Sequence, residues 1–376
     1  MPIVEPTSTL QAIQTKVRRL TRSPSTAQLT DDDLQNYINT FVVYDFPEQL
    51  RTFNLREQFS FVCNPYQDVY PTDKSIQQTT NPLYNFQNKY LTVHPPAYIA
   101  GFPALYSQSR EQFFNIYPIV NSILSIGTFG DGATTTFTGV ITNNTGPQTP
   151  QVQNQSTVLL QNNVLFSSID VNNGGLALVD VPVLDTTTGF TTVNGNLYIP
   201  GQQPVDPVTG VPVFPTVITP GNTINYLTGA FTITFPTAPG TGQQIFSQTV
   251  PAVTALPQSI LFYQDQFVLR PVPNQPYTIN FEVFIRPTAL LALGQSPQLE
   301  EYWQLIALGS AIKVFQDRME MESVQMVMPE FNLQMRLCLR RSLVQYANER
   351  TATIYTENSG GAGGWGWWGT GGGGSF

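Results

Sequence analysis

Residues 223–235 read TINYLTGAFTITF, and their pattern predicts the local structure in the middle of the chain. Apolar and polar side chains alternate over residues 223–226 and again over residues 230–235, with the period of two that is typical of half-buried strands. Between the two halves lies Leu227-Thr228-Gly229, a short turn whose glycine tolerates a positive φ. The stretch therefore predicts a tight β-hairpin.

The composition around this hairpin is uniform over a long distance. Between Arg110 and Arg270 the chain contains no lysine or arginine, and Thr, Asn, Gln, Gly, Pro and β-branched residues fill the interval instead. The period of two begins earlier, because apolar and polar residues already alternate over residues 59–63. Short strands between frequent turn signals predict a sandwich-like all-β region over residues 55–286.

Turn signals inside this region predict its finer organisation. The dipeptides Asn173-Gly174 and Asn194-Gly195 predict hairpin turns, because both tolerate a positive φ. Residues 146–220 are the richest part of the region in Pro, Asn and Gln. This part predicts either a long loop excursion or extra hairpins that decorate the sandwich.

Helical periodicity appears at both ends of the chain. Near the N-terminus, apolar residues at positions 10, 13, 17 and 20 predict an amphipathic helix. Thr30, followed by three aspartates, predicts the start of a second helix that Pro47 closes. Near the C-terminus, Ser296-Pro297 and Pro329 predict two more helix starts, followed by a final short strand at residues 351–355.

These patterns together predict an α+β fold. A helical core would combine residues 1–54 with residues 287–358, and the all-β region, residues 55–286, would interrupt it as a large insertion. Residues 359–376 would follow as a flexible tail rich in glycine and tryptophan.

The tail is mostly glycine, punctuated by the aromatic residues Trp365, Trp367, Trp368 and Phe376. Glycine this dense loses too much backbone entropy to fold alone, so one interpretation is a disordered tail. Tryptophan is also a preferred anchor of protein interfaces. The second interpretation is therefore that these aromatic residues dock on a neighbouring subunit or another partner.

The overall composition narrows the class of protein. The 376-residue chain has a net charge of −8, with 11% charged and 41% hydrophobic residues. This balance argues against global disorder and against a general polyanion binder, and a polar surface of low charge fits a protein that works inside an assembly. The two cysteines do not form a disulfide framework, and we expect neither a secretory signal nor a membrane span.

Two local clusters of basic residues depart from the acidic average. They are Lys16, Arg18, Arg19 and Arg22 near the N-terminus, and Arg336, Arg340 and Arg341 near the C-terminus. One interpretation is solvated helix faces. The other is contact with nucleic acid or with an acidic partner surface. Five methionines between residues 319 and 335 suit either an adaptable interface or the filling of gaps in a core.

No residue pattern predicts catalysis, a bound cofactor or a metal site. The one histidine, His94, precedes two prolines and is interpreted as a turn residue, since it has no partner for a metal site or a catalytic triad. The glycines of residues 127–132 lack the lysine of a phosphate-binding loop. Asp180 and Asp185 lack the spacing of a calcium loop and are interpreted as solvated turn residues. We therefore expect no enzymatic activity.

Two segments of the β region carry a resemblance to known proteins. Residues 127–139 (GTFGDGATTTFTG) and residues 221–235 (GNTINYLTGAFTITF) resemble the small β-sandwich that recurs in structural proteins of tailed bacteriophages. The strands over residues 263–290 and the helix start at Pro297 extend the resemblance. A helical frame interrupted by β structure is similar to phage head-to-tail connector proteins of the adaptor or neck type.

The resemblance implies a structural protein of the virion, which assembles in the host cytoplasm. Its copies would form a homo-oligomeric ring, a dodecamer for example, that joins the portal protein to tail or neck proteins. If the two basic clusters line the ring, they would contact packaged DNA through its phosphates and without sequence preference. No membrane and no cofactor enter this interpretation.

Two alternatives remain, because the matching segments are short and both the long β region and the tail depart from a simple connector. One alternative is another virion component, such as a tail tube, baseplate, fibre-attachment or head decoration protein. A fibre role would predict trimers. The other alternative is a virion-associated glycosidase or peptidase, which would need paired acids in a cleft or a metal ion.

Overall fold

The chain divides into two units. The computed structural model describes residues 8–74, 78–141, 158–207 and 213–362. One unit combines the chain up to Glu57 with the chain from Phe284 onward, and the other, larger unit is Gln58–Val283.

The described residues contain 17 strands in three sheets. The strands are β1 Arg56–Val62, β2 Val69–Pro71, β3 Tyr90–Ile99, β4 Phe102–Ser107, β5 Ser122–Phe129, β6 Thr136–Val140, β7 Leu165–Ile169, β8 Gly175–Leu184, β9 Thr191–Tyr198, β10 Thr223–Asn225, β11 Ala230–Thr234, β12 Gln244–Thr249, β13 Thr254–Ala255, β14 Ser259–Tyr263, β15 Gln266–Arg270, β16 Val272–Pro273 and β17 Thr278–Ile285. Seven strands form one sheet in the order β1-β17-β3-β4-β14-β15-β2. Eight form a second sheet in the order β5-β12-β7-β8-β9-β10-β11-β6, and β13 pairs with β16.

The α-helices are α1 Leu10–Leu20, α2 Asp31–Thr40, α3 Phe46–Gln49, α4 Phe86–Lys89, α5 Arg110–Ile116, α6 Trp303–Asp317 and α7 Met321–Ala362. A π-helical turn, Phe41–Asp45, joins α2 to α3. Short 3-10 turns lie at Phe53–Leu55 and Glu300–Tyr302.

The predicted fold class, a helical core interrupted by a sandwich-like β insertion, is wrong. The chain is a strand-rich mixed α/β protein whose larger unit is built from two extensive sheets. Helical periodicity at the chain ends is a local signal, so it stands out in the sequence. The sheets depend on pairing between distant strands, and that pairing leaves no comparable local pattern.

The first two helices of the smaller unit are confirmed as predicted. Thr9 caps α1 by accepting a hydrogen bond from the Ala12 N–H at 3.4 Å, and the Thr30 hydroxyl caps α2 by accepting from the Asp33 N–H at 3.1 Å. Around them, α6 is buried on nearly all sides, as expected of a helix that is apolar all round. Gly309 on α6 lies directly against the Phe41 ring, where a Cβ would collide with ring carbons.

Three other predictions for this unit are wrong. Pro47 does not end the second helix, because it lies in the first turn of α3, where an N–H has no intrahelical partner. Neither proline near the C-terminus starts a helix: α6 begins at Trp303, after a 3-10 turn, and Pro329 lies inside α7. Residues 351–355 belong to α7 and form no strand.

The hairpin at residues 223–235 is confirmed. β10 and β11 pair antiparallel, with Thr223 opposite Thr232 and Ile224 opposite Phe231. Gly229 in the turn has φ +71°, and a Cβ at this position would collide with the Ile141 carbonyl oxygen. The turn at Asn173 is also confirmed, because Asn173 has φ +61° and connects β7 to β8.

The described part of residues 146–220 is neither a loop excursion nor a decoration of the sheet. It supplies β7, β8 and β9, which are three consecutive strands in the middle of the eight-stranded sheet. The predicted turn at Asn194-Gly195 is therefore wrong, since both residues lie within β9. Gly195 serves close packing, because a Cβ there would collide with the Tyr226 hydroxyl.

The eight-stranded sheet curves around a core of its own. Its buried residues are Phe137, Ile141, Leu159, Val164, Phe166, Leu176, Leu178, Leu197, Ile224, Tyr226, Phe231, Ile233, Phe235 and Ile245. Phe137 lies on one edge strand, β6, and Ile126 of the other edge strand, β5, packs against the same cluster. Since side chains from both edges meet in one cluster, the sheet is curled, whereas a sandwich would need a second sheet across the core.

The seven-stranded sheet has an aromatic core. Phe59 of β1 stacks on Phe281 of β17 at 5.6 Å, and Phe267 of β15 lies 5.2 Å from Phe281. β1 and β17 run antiparallel, because the N–H of Cys63, just after β1, donates to the Tyr277 carbonyl, just before β17, at 2.9 Å. The chain therefore enters and leaves the larger unit on neighbouring strands.

The larger unit places His94 differently from its interpretation as a turn residue, and it contains a buried ion pair. His94 is a residue of β3 and not of a turn, and its Nδ1 lies 4.0 Å from the Glu282 carboxylate. The side chains of Asp68 and Arg270 form a buried ion pair at 2.9 Å, with 3% and 9% of their surfaces exposed.

Candidate functional site

The two basic clusters lie on helices that both pack against α6. The first is on α1 and the residues after it, and the second is on α7. The structure separates their seven members into residues with a partner inside the smaller unit and residues without one.

Three of the basic residues are engaged within the chain. The Lys16 ammonium lies over the Trp303 ring, 5.2 Å from its centre. Arg18 pairs with Asp31 at 2.6 Å and also donates to the carbonyls of Ser23 and Ser25. Arg341 pairs with Glu301. These three side chains serve the stability of the helices, and they are poor candidates for contact with a partner.

The other four basic residues are free to contact a partner. Arg19, Arg22, Arg336 and Arg340 are exposed, and none of them forms an ion pair with a residue in the described ranges. Arginines that are exposed and unpaired are available for phosphate or carboxylate groups. Four of the seven predicted contact residues are therefore exposed and without an ion pair to a described residue, and their contact with a partner stays a prediction.

A surface depression of about 670 Å³ lies between the end of the first cluster and the beginning of α7. Arg22, Arg318 and Met326 are among the residues that line it. The sequence did not single out Arg318, which follows the end of α6 and donates to the Ser23 hydroxyl at 2.9 Å. Arg336 lies ten residues beyond Met326 on α7, which is about 15 Å along the helix axis.

One side of α7 packs against the smaller unit. Val324, Phe331, Cys338 and Ser342 are buried and recur at a spacing of seven or four residues. This spacing keeps them on one face of the helix, as in a coiled coil. At 42 residues, α7 is about 63 Å long, whereas α6, its main partner in the unit, is about 22 Å long.

The opposite side of α7 is exposed and carries three apolar side chains together with the exposed Glu322 and Glu330. Met326 is 77% exposed, and Leu333 and Leu337 are each 51% exposed. At 100° per residue these three side chains and Arg340 lie within about 60° of one another, on the side opposite the buried row. We name Met326, Leu333, Leu337 and Arg340 the α7 stripe; Arg336 flanks it. Of the five methionines near this join, Met319, Met321 and Met326 are exposed, as an interface requires.

A second candidate site is a cavity of about 700 Å³ in the curled sheet. Asp180 of β8 lies in its wall and is buried, which corrects the interpretation of this residue as a solvated turn aspartate. Its carboxylate accepts hydrogen bonds from the N–H groups of Asn162 and Val164, at 2.7 and 2.8 Å, and from the Tyr226 hydroxyl at 2.8 Å. Burial raises the pKa of Asp180 to about 6, although the three donors oppose the shift.

Asp185, at the end of the same strand, behaves in the opposite way. Its carboxylate accepts from the Thr187 N–H and the Thr188 hydroxyl in an exposed turn, so the interpretation as a solvated turn residue is confirmed. These hydrogen bonds lower the pKa of Asp185. All of the donors around Asp180 belong to the fold, and both of its oxygens are occupied. The arrangement suits a structural role in holding the loop before β7 against β8.

The aromatic residues of the tail, Trp365, Trp367, Trp368 and Phe376, lie outside the described residues. The backbone of the first four tail residues, 359–362, continues α7. Across the described ranges, no group of three or more His, Cys, Asp or Glu side chains is placed to hold a metal ion. None of the helices in the described ranges combines the length and hydropathy needed to cross a membrane.

Comparison with known proteins adds no relative. No protein-family model matches the chain, and no curated protein matches it. The resemblance to phage connectors therefore depends on the segments quoted above, residues 127–139 and 221–235, and on the order of elements around them.

Proposed function

We propose that this protein is a structural component of a tailed-bacteriophage virion, a ring-forming adaptor or neck protein that joins the portal protein to tail or neck proteins. The observation that carries the proposal is the α7 stripe. A long helix with apolar residues on two opposite sides buries one row within its own unit and presents the other to a partner. The role needs no catalytic residue and no cofactor, and it places the protein in the virion after assembly in the host cytoplasm.

The arrangement of the two resembling segments also supports the proposal. Residues 127–139 include part of β5 and most of β6, and residues 221–235 form the β10–β11 hairpin. β6 pairs with β11 along its whole length, from Thr136 opposite Thr234 to Val140 opposite Ala230. The two segments, far apart in the sequence, thus supply neighbouring strands of one curled sheet, as a single structural motif would.

Ring formation is the first expected result. Native mass spectrometry of the purified chain should give one closed oligomer of more than three copies, and negative-stain micrographs should show rings, because an exposed apolar row is stabilised by burial between subunits. A monodisperse monomer at micromolar concentration, without rings in micrographs, contradicts the proposal. A map of the intact particle would then give the position of the ring between head and tail.

A second candidate role is that of another virion component, such as a tail tube, baseplate, fibre-attachment or head decoration protein. The observation in its favour is the extent of the β unit, Gln58–Val283, which is the larger of the two units. The same mass measurement separates the roles, since a trimer favours fibre attachment and a larger ring favours the adaptor or neck.

Contact with packaged DNA is the second expected result. Duplex DNA should bind the assembled protein without sequence preference, because the exposed Arg19, Arg22, Arg336 and Arg340 can contact phosphates. The affinity should fall with salt, and replacing all four by alanine should make the slope of log K against log salt shallower by about 0.9 for each lost phosphate contact.

Arg341→Ala is the matched control for DNA binding, because Arg341 is already paired with Glu301. It should leave the salt slope of fluorescence-anisotropy titrations unchanged. An equal loss in the control and the fourfold variant, or binding that does not depend on salt, would assign the DNA contact elsewhere.

A further inference from the structure

Two asparagines of the chain are followed directly by glycine, in Asn173-Gly174 and Asn194-Gly195. A glycine has no side chain to shield its backbone nitrogen, so this nitrogen can reach the carboxamide of the asparagine before it. The structure places the two dipeptides in opposite environments, because the first lies in a turn and the second lies within β9. The fold therefore distinguishes two sites that share the same local chemistry.

Asn173 lies in the turn between β7 and β8. It is exposed, and its side chain forms no hydrogen bond with a residue in the described ranges. The Asp170 carboxylate closes the base of the turn: its Oδ1 accepts from the Gly174 N–H at 2.6 Å and from the Asn172 N–H at 2.8 Å. Asp170 therefore contacts the proton that must leave before the Gly174 nitrogen can act as a nucleophile.

Asn194 is held in the interior of the eight-stranded sheet. β9 pairs with β8 on one side and with β10 on the other, and Gly195 lies opposite both Pro182 and Ile224. The Asn194 Oδ1 accepts a hydrogen bond from the Asn225 side chain at 2.9 Å. The Gly195 nitrogen cannot turn toward the Asn194 carboxamide unless these strands separate.

We propose that Asn173 is a site of spontaneous deamidation in which the Asp170 carboxylate acts as the base. Asp170 takes the proton of the Gly174 N–H, and the Gly174 nitrogen attacks the Asn173 Cγ. The bond between Cγ and Nδ2 then breaks. The departing nitrogen takes the proton from Asp170 and leaves as ammonia, and a cyclic succinimide remains.

Water completes the reaction. It adds to one of the two carbonyls of the succinimide and opens the ring, which gives aspartate or isoaspartate at position 173. One water is consumed and one ammonia is released, and no group is oxidised or reduced. Both products place a second carboxylate near Asp170. The isoaspartate form also lengthens a turn whose ends are joined by the hydrogen bond from the Asp170 N–H to the Gly174 carbonyl, at 2.8 Å.

The rate of acid formation at the two asparagines tests the proposal. The full chain is incubated in oxygen-18 water at neutral pH and digested in ordinary water, so that acid formed before digestion carries the label. Peptide mass spectrometry with electron-transfer fragmentation assigns the label to position 173 or 194. In the folded chain Asn173 should react at least about tenfold faster than Asn194, because reaction at Asn194 requires local opening of the sheet.

The same chain in concentrated urea is the reference for both dipeptides. Unfolding removes the difference in environment, so the two asparagines should then react at similar rates. Asn173 should react faster in the folded chain than in urea, because only the fold holds the Asp170 carboxylate against the Gly174 N–H. Equal rates at Asn173 and Asn194 in the folded chain, or a folded Asn173 that reacts no faster than in urea, overturn the proposal.

Asp170→Asn tests the role of the base. An asparagine keeps the Oδ1 that accepts the N–H groups of the turn but cannot take up the proton, so the rate at Asn173 should fall by at least about tenfold. Asp185→Asn, the same change in the exposed turn after β8, is the matched control and should leave that rate unchanged.

Asn194 reports in the same samples whether the sheet is folded. With Asn194 still protected, an unchanged or faster rate at Asn173 in Asp170→Asn overturns the proposal, and so does an equal fall in Asp185→Asn. If Asn194 loses its protection in Asp170→Asn, the comparison of the folded wild-type chain with the chain in urea decides.

Discussion

Arg270→Met is expected to destabilise the larger unit by about 3–5 kcal/mol, the largest effect of any substitution considered for this protein. The Arg270 guanidinium lies 2.9 Å from the Asp68 carboxylate, and both side chains are at least nine-tenths buried. Removing the arginine leaves the Asp68 carboxylate charged and out of contact with water, and this penalty exceeds the attraction that the pair contributed.

The double variant Arg270→Met/Asp68→Leu separates these two contributions. It removes both charges, so most of the lost stability should return, because apolar residues of similar volume often replace a buried ion pair at little cost. Hydrogen-exchange mass spectrometry of peptides from β15 under increasing urea gives the free energies of unfolding. If the double variant is as unstable as the single one, the loss reflects packing and not the unpaired charge.

An exposed ion pair provides the matched comparison. Arg341 is 59% exposed and pairs with Glu301 on the smaller unit. Arg341→Met should cost under about 1 kcal/mol, because water and salt screen an exposed pair. Peptides from α7, followed in the same exchange experiment, report this value.

The stability of the curled sheet is expected to fall by about 3 kcal/mol as the pH rises from 4 to 7. The pKa of Asp180 is about 6 in the folded protein, against an ordinary value of 3.8. Because the folded state holds the proton more tightly, this contribution is complete below pH 4 and is lost as the pH rises through 6. Two pKa units correspond to about 3 kcal/mol.

Asp180→Asn should remove this slope. The free energy of unfolding at any one pH also changes, because an amide nitrogen would face one of the two N–H donors. The dependence of that free energy on pH is therefore the quantity that identifies the titration of Asp180. Asp185→Asn is the control with the opposite sign: its folded pKa is lowered, so its contribution is present above its ordinary pKa and is lost as the pH falls. Urea unfolding followed by hydrogen exchange in β8 measures all three proteins. A wild-type slope that persists in Asp180→Asn would assign the titration to another group.

Local patterns in the sequence predicted the elements whose causes are local. The hairpin of residues 223–235 follows from alternation and one glycine, and the starts of α1 and α2 follow from Thr9 and Thr30, each of which caps its own helix. The sequence also identified the basic cluster that begins on α1, although it could not distinguish the exposed Arg19 and Arg22, which have no ion pair in the described ranges, from Arg18, which has one. That distinction depends on Asp31, which the fold brings to Arg18 from the next helix.

The errors have causes that lie far away in the sequence. Asn194-Gly195 has the composition of a turn, yet both residues lie within β9. The glycine is needed there because the Tyr226 side chain, just after β10, packs against it. Asp180 has the composition of a loop residue, yet its donors come from residues 162, 164 and 226. The contact between α2 and the segment before α6 is equally invisible in the sequence, since Gln35 and Leu290 meet only in the folded chain.

The pairing of β1 with β17 has a consequence for how the chain folds. The helices of the smaller unit come from opposite ends of the sequence, so their docking would normally require closing a loop of more than 200 residues, at an entropic cost that slows folding. Once β1 and β17 pair, the two ends of the larger unit lie about 5 Å apart, the spacing of adjacent strands. After that pairing, the docking of α1 on α6 carries only the entropic cost of closing a short loop, because the paired strands hold the two ends of the larger unit together.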